Sequence, residues 1–328
     1  MNLVYTIDNN FVPQLAANIQ SVKQNNPNIQ LNFYILSMGL SKANVDYLTD
    51  FFSDKLCDVI IIDISDFKDR IAFEFDTTGW NEIVLARLLL DNYLPNEIER
   101  VIYLDADTIC RSSLREFWQA DLDGKTIAMA PEPTADRNRR TSLGIASYPY
   151  CNAGVVLFNL KKWRDNDIEK GILNFCKQNK DKLFANDQDA LNVYLKDDIK
   201  VMSISYNYSN IFDYYPFEYL NKLMPNFCNK IEFEHARANP AIVHFLGEDR
   251  PWRAGNTHRF SSDYFYYLRQ TPWSKAPIEY GWEHYYKAWR LFNTITSPFP
   301  SARYKAITSF IPFFMKVRAK KRRQDESR

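Results

Sequence analysis

Glycine is scarce in this sequence, at 9 of 328 residues, and proline is little denser at 15, which excludes collagen-like repeats and low-complexity disorder. The five cysteines (Cys57, Cys110, Cys151, Cys176 and Cys228) are odd in number and form no CxxC, so neither a disulfide framework nor a zinc cluster is indicated. No stretch approaches the roughly 18–20 uninterrupted apolar residues of a membrane-spanning helix. The opening Met-Asn-Leu-Val-Tyr lacks the basic-then-apolar pattern of a signal peptide. These absences predict a cytoplasmic home. An excess of one charge is missing too: 41 Lys+Arg against 40 Asp+Glu leave +1, which at first sight speaks against polyanionic partners. What is present is a 46% hydrophobic, 15% aromatic chain with length enough for about two structural units and a sizeable core.

Short apolar runs at Leu3–Ile7, Leu31–Leu36, Val59–Ile64, Val101–Leu104, Ile127–Ala130, Gly154–Phe158 and Ile242–Phe245 read as strands. Helical spacing recurs over Phe11–Asn25, over Ile83–Leu90 and between Lys161 and Lys196, with a helix start at Asn186-Asp187. The alternation predicts an α/β fold with a mostly parallel central sheet flanked by helices. Ligands of such sheets bind beyond the carboxyl ends of the strands. Past residue 260 the character changes. Residues 1–260 read as one domain and 261–328 as a helical, basic-aromatic extension.

The run Val101–Leu104 ends in Asp105-Ala106-Asp107. In extended chain, residues two apart project to the same side, so both carboxylates are expected to face one ligand. Adjacent anions need a positive counterpart, and a hard divalent cation is a natural one. The plain alternative is a strand-to-turn junction whose acids face water. Tyr103–Thr108 also fits the DxDxT pattern of haloacid-dehalogenase-type phosphatases, with Asp105 as nucleophile and Asp107 as general acid. That pattern normally ends the first strand of its domain, whereas several elements precede it here.

Further segments join this pair: VYTIDNN at Val4–Asn10, Ala86-Arg87-Leu88, CNAGV at Cys151–Val155 with NDQD at Asn186–Asp189, and VHFLGEDRPW at Val243–Trp252. With these in order, from about Leu3 to Trp252, the chain resembles the family-8 retaining glycosyltransferases, a group that includes glycogenin and bacterial lipopolysaccharide galactosyl- and glucosyltransferases. The resemblance implies a GT-A type nucleotide-sugar fold. It gives Thr6, Asp8 and Asn10 to the uridine, and Arg87 to the sugar nucleotide. The Asp105-Ala106-Asp107 motif would bind metal and diphosphate, with His244 completing the metal ligands. Asn152, Asp187 and Gln188 would surround the transferred hexose, and Gly247 would let the backbone approach the diphosphate. Arg250 stands where the family usually has lysine, which keeps the charge but replaces a point charge with a fork. Taken alone, these residues also have bland roles. Asp8-Asn9-Asn10 reads as a polar loop, Arg87 as a helix-surface ion pair, Asn186-Asp187 as a helix N-cap, Gly154 as strand packing and His244 as a core or surface histidine.

The resemblance further implies transfer of a hexose, galactose ahead of glucose, from a UDP-sugar to a hydroxyl of a glycan, glycolipid or glycoprotein, with retention at the anomeric carbon. The cofactor would be manganese, with magnesium as the alternative. Gln188 lies where the family has an amide near the reacting face. An amide is a poor nucleophile, which favours same-face attack over a covalent intermediate, with Asp187 and Asp189 as rival nucleophiles. Between residues 303 and 328 stand nine Lys+Arg against two acids, beside Phe310, Ile311, Phe313, Phe314 and Met315. The overall +1 is therefore a cancellation between an acidic body and a basic tail. The tail is suited to the anionic inner face of a cytoplasmic membrane. No nucleic-acid motif accompanies it, and a non-catalytic membrane-surface scaffold is the remaining non-enzymatic alternative.

Overall fold

Five of the apolar runs become inner strands of a sheet covered on both faces, while Val59–Ile64 lies at the edge of that sheet and Ile242–Phe245 in a second, smaller one. The computed structural model describes residues 1–71, 82–180 and 182–311, so the cationic segment 312–328, with Phe313, Phe314 and Met315, lies outside the described residues. The strands are β1 (Asn2–Asp8), β2 (Leu31–Met38), β3 (Cys57–Asp63), β4 (Arg100–Leu104), β5 (Thr108–Cys110), β6 (Ile127–Pro131), β7 (Cys151–Asn159), β8 (Ile199–Val201), β9 (Tyr208–Ser209) and β10 (Ile242–His244). A seven-stranded sheet has the order β3-β2-β1-β4-β7-β6-β8, and a three-stranded sheet the order β5-β10-β9. In the large sheet β7 runs against both neighbours while all other pairings are parallel. The sheet is thus mostly parallel, as expected. Its one reversal brings the amino end of β7 to the edge where β1, β4 and β6 finish.

Side-chain alternation divides the core in two. Val4, Val101, Tyr103, Val156 and Phe158 join the apolar layer on one face, while Leu3, Tyr5, Ile102, Leu104 and Leu157 join the layer on the other. Burying such side chains contributes roughly 1.5–3 kcal/mol each, so these central strands hold the frame against which the site is built. A third cluster, rich in aromatics, packs Tyr208, Phe212, Phe233, Phe245, Trp252 and Tyr264 around the small sheet.

Three local expectations need correction. Ile83–Leu90 is not one α-helix but a 3-10 turn over Glu82–Leu88 followed by a short helix, Leu90–Tyr93. Ile83, Leu85, Ala86, Leu88 and Leu89 are all buried, so tertiary packing rather than helical propensity sets the winding. The Asp105-Ala106-Asp107 stretch is a turn, not an extended strand end, because here the chain leaves β4 of one sheet and enters β5 of the other. The helix Asn186–Tyr194 is not capped by Asn186 or Asp187. Ala185 is the cap residue, and its N–H is taken by the Asp189 carboxylate at 2.9 Å.

The C-terminal part adds helices Ser261–Leu268 and Glu283–Thr296, and the chain is helical again from 300 through 311. Tyr264, Tyr267 and Leu268 sink into the aromatic cluster. Arg303 is buried, donates to the Tyr214 carbonyl at 2.8 Å and bonds Asn293, while the Tyr304 hydroxyl donates to the Thr134 carbonyl at 2.9 Å. Leu291, Ile295, Phe299 and Phe310 remain exposed on the outer side. No helix among the described residues is long and apolar enough to cross a membrane.

Candidate active site

The site forms where β1, β4 and β6 end and β7 begins. The turn after β4 is pinned on both sides: the Asp105 N–H donates to the Gly154 carbonyl at 2.8 Å, and the Asp107 carbonyl accepts the Phe245 N–H at 2.9 Å. Ala106 sends its methyl group into the core, leaving the flanking carboxylates on the site side. His244, the last residue of β10, meets them there. One ligand atom from each of Asp105, Asp107 and His244 lies within 4.8 Å of the other two. His244 Nε2 is 3.4 Å from Asp107 Oδ1 and 3.8 Å from Asp105 Oδ2.

Gly154 makes this approach feasible. A Cβ there would stand 2.7 Å from His244 Nδ1 and 2.9 Å from Asp105 Oδ2. Strand packing alone does not explain this glycine; its missing side chain makes room for the imidazole and carboxylate.

Positive charge surrounds the acids. Arg87 is buried and donates to Asp105 Oδ1 at 2.9 Å, pairs with Asp187 Oδ2 at 2.9 Å, bonds the Ala153 carbonyl, and lies 4.3 Å over the Tyr103 ring. Its ion pair therefore lies inside the site, not on a helix surface. Arg250 reaches Asp107 Oδ2 at 3.6 Å across the faces of Phe11 and Trp252. Burial pushes the Asp105 carboxyl up despite Arg87. At Asp107 burial also pushes upward, but the His244 hydrogen bond and charge and the Arg250 charge win and hold it below its ordinary value. Burial disfavours a protonated His244, yet the two aspartates outweigh it and raise its pKa. Burial pushes Asp187 up to about 6, with Arg87 pulling the other way. Two hard carboxylates and one imidazole with their ligand atoms this close could together hold a divalent cation.

Around this centre the sugar-site candidates interlock. Gln188 Oε1 accepts the Ala153 N–H at 3.0 Å, and its Nε2 donates to Glu132 at 3.2 Å and to the Tyr150 hydroxyl at 3.1 Å. Asn152 donates to Glu132 at 2.9 Å. Asp189 has no exposed surface and is held by Arg139, by the Tyr150 hydroxyl at 2.6 Å and by the Ala185 N–H. A small recess beside them is lined by Glu132, Asn152, Asn207, Ser209 and Leu246.

The structure thus gathers Arg87, Asp105, Asp107, Asn152, Asp187, Gln188, His244 and Arg250. Thr6 enters indirectly: its hydroxyl bonds the Tyr103 hydroxyl at 2.8 Å, which in turn donates to Asp105 at 2.8 Å. Asp8 caps the turn leaving β1 by accepting the Asn10 N–H at 2.9 Å, and Asn10 is exposed. Gly247, in the loop after β10, has φ +71°, a conformation that glycine adopts without strain. Sequence reasoning places the region Glu132–Tyr150 over the site as a chooser of the acceptor, but it gives no individual role to Tyr103, Glu132, Tyr150 or Asn207. Tyr103 was hidden in an apolar strand, and the other three carry no local pattern.

A chain with this sheet and this Asp-x-Asp turn has a solved counterpart. A galactosyltransferase, LgtC, crystallised with donor and acceptor sugar analogs, superposes with a TM-score of 0.71 at 24% identity, over 83% of this chain and 96% of that one. The shared architecture is the GT-A type glycosyltransferase fold. The pattern of glycosyl transferase family 8 matches residues 2–255, and the chain belongs to that family. A provisionally named glycosyltransferase of Haemophilus influenzae is 31% identical over 214 residues, 64% of this chain and 63% of that protein, so the match spans less than two thirds of that relative. A lipopolysaccharide 1,2-glucosyltransferase of Escherichia coli K12 is 27% identical over 277 residues, 83% of this chain and 79% of that protein. The phosphatase alternative falls with the family match. Its geometry also fails, since Asp105 follows the fourth strand rather than the first and is tied to Arg87 and Tyr103.

Proposed function

We propose that this protein transfers a hexosyl group from a UDP-sugar to a hydroxyl of a saccharide acceptor, with retention of configuration and with galactose as the first donor to test, glucose as the second. The observation that carries this is the convergence of Asp105, Asp107 and His244, flanked by Arg87 and Arg250, at the carboxyl edge of a GT-A sheet. Asp105, Asp107 and His244 would hold a divalent cation, manganese foremost, which as a Lewis acid lowers the barrier to departure of the diphosphate.

The chain's own residues supply the rest. Arg250 places a fixed positive charge beside Asp107, where negative charge grows as UDP leaves. Arg87 holds Asp105 and Asp187 in one geometry from beneath. Gln188, oriented by Ala153, Glu132 and Tyr150, offers an amide rather than a strong nucleophile to the sugar face. The three partners that hold Asp189 favour same-face attack over a covalent intermediate on that carboxylate. The acceptor would lie over the recess at Glu132 and Asn152, and the core of a lipopolysaccharide is one saccharide of the right class. The basic tail with the exposed Phe299, Phe310 and Ile311 would seat the enzyme on the anionic inner face of the cytoplasmic membrane, at about 1 kcal/mol per Lys or Arg near the surface.

The test is release of UDP from a panel of UDP-sugars with manganese, with magnesium and with chelator. Metal-dependent hydrolysis of a UDP-hexose supports the reading, and no turnover of any donor together with no UDP–manganese shift in melting temperature refutes it in favour of a scaffold. Membrane docking is tested by co-sedimentation with anionic and with neutral vesicles. Equal failure to bind both removes that part of the proposal.

A further inference from the structure

His244 carries two ring nitrogens, and only one of them faces the aspartates. Nδ1 points the other way, 2.9 Å from Asn207 Oδ1. Asn207 Nδ2 in turn lies 2.8 Å from Asn152 Oδ1. All three residues are buried, with 3%, 5% and 9% of their surface exposed.

Obligate hydrogen-bond partners at the far end of this chain fix the direction of every link. The backbone N–H of Gly154 can only donate, and it is 2.9 Å from Asn152 Oδ1. The carboxylate of Glu132 accepts from Asn152 Nδ2 at 2.9 Å. The Asn152 amide is thereby oriented with oxygen toward Asn207. Asn207 must then present its NH2 to that oxygen and its own carbonyl oxygen to the imidazole. A carbonyl oxygen can only accept, so Asn207 calls for a proton on Nδ1 at 2.9 Å, a closer contact than the 3.4 and 3.8 Å from Nε2 to the Asp107 and Asp105 carboxylates, and this is the proton a neutral His244 keeps.

We propose that Asn207 is a positioning residue that fixes the Nδ1–H tautomer of His244 and so presents the Nε2 lone pair to a divalent cation between Asp105 and Asp107. The inference rests on the metal-dependent reading above and deepens it. Gly154 acts twice in this arrangement: its missing side chain admits the ring, and its N–H starts the chain of bonds that orients the ring. Partners of this kind behind a metal ligand are worth roughly 10–100-fold in metal affinity.

The experiment uses full-length protein labelled with 15N-histidine. The sequence holds four histidines, so the His244 signal is identified by its loss in His244→Ala. In buffer without metal, at a pH where the 15N shifts themselves show a neutral imidazole, two-bond 15N–1H correlations separate the Nδ1–H from the Nε2–H tautomer. The expected result is Nδ1–H in the wild type and a mixed or reversed population in Asn207→Leu. Manganese titration in the presence of UDP, followed by the electron paramagnetic resonance of free Mn2+, should then show affinity weakened roughly 10–100-fold in the variant. A wild-type spectrum with the proton on Nε2 overturns the proposal without any variant, which covers the case where Asn207→Leu does not fold. Unchanged manganese affinity in a folded Asn207→Leu overturns it as well. A wild type that shows Nδ1–H but binds no manganese overturns the metal-dependent reading while leaving the tautomer assignment standing.

Discussion

Replacing Gly154 by alanine perturbs the site by a single methyl group. The added Cβ would stand 2.7 Å from His244 Nδ1 and 2.9 Å from Asp105 Oδ2, and closer still to Cε1 of the ring. Ordinary contacts between such atoms are about 3.5 Å, so something must retreat by about 1 Å. The backbone of Gly154 cannot move freely, because its N–H is held by Asn152 and its carbonyl receives the Asp105 N–H. The buried ring is held by Asn207. The displacement therefore falls on the imidazole and the carboxylate. Overpacking of this kind costs about 1–3 kcal/mol of stability, and a misplacement of about 1 Å in a reacting constellation costs about 10²-fold in rate. UDP release at saturating manganese, manganese affinity and melting temperature are the three measurements, and Gly154→Ala should lower all of them. Gly171→Ala serves as control. There the methyl meets the hydroxyl and Cζ of Tyr194, an exposed side chain that packs on Phe175 and touches none of the site residues named above, so turnover should be unchanged. A Gly154→Ala enzyme with wild-type turnover and manganese affinity would refute the reasoning.

Arg87→Leu leaves the Asp105 and Asp187 carboxylates buried without their cation, and denaturant unfolding should show a loss of about 3–5 kcal/mol; wild-type stability would sink that account. Gln188→Ala removes the amide tied to Ala153, Glu132 and Tyr150 and should lower kcat by about 10²-fold with the melting temperature nearly kept; unchanged turnover would exclude a close role for this side chain. Glu169, where the backbone N–H of Asp91 and the side chain of Asn92 converge, is pushed by burial up to about 7 from an ordinary 4.5. Because its folded pKa is raised, its contribution is fully present below about pH 4.5 and is lost as pH rises through about 7, a swing of about 3 kcal/mol at most. Glu169→Gln should therefore flatten the fall in stability between about pH 5 and about pH 8, and a variant with the wild-type slope would show that Glu169 is not its source.

The inner strands were legible because a strand buried on both faces needs a continuous apolar run, and β1, β2 and β4 supply one. The small sheet was hardly legible: β5 and β9 are three and two residues long, and their pairing with β10 is set by contacts far apart in sequence. The carboxylate pair was recognised for a reason that proved inexact. Asp105 and Asp107 meet on one side because a turn between two sheets places them there, with Ala106 facing the core, and not because of strand alternation. Arg87 shows the limit most clearly. Its spacing suggested a helix, whereas a tight 3-10 turn buries its guanidinium between two acids. Asn207 had no signal at all, since a single asparagine acquires its role only from the atoms on either side of it.

The ladder between β5 and β10 pairs Thr108 with His244, Ile109 with Val243 and Cys110 with Ile242. Sliding one strand by a single residue would exchange the two faces of β10. Val243, which lies in the aromatic cluster, would then confront the aspartates, and the imidazole would be driven into that cluster. Chemistry here is thus hostage to reading frame in the structural sense. A one-residue insertion or deletion within 104–110 or 242–244 destroys the site even if every ligand is retained, so length variation among relatives should gather in connections such as 120–126 and leave these two short segments ungapped.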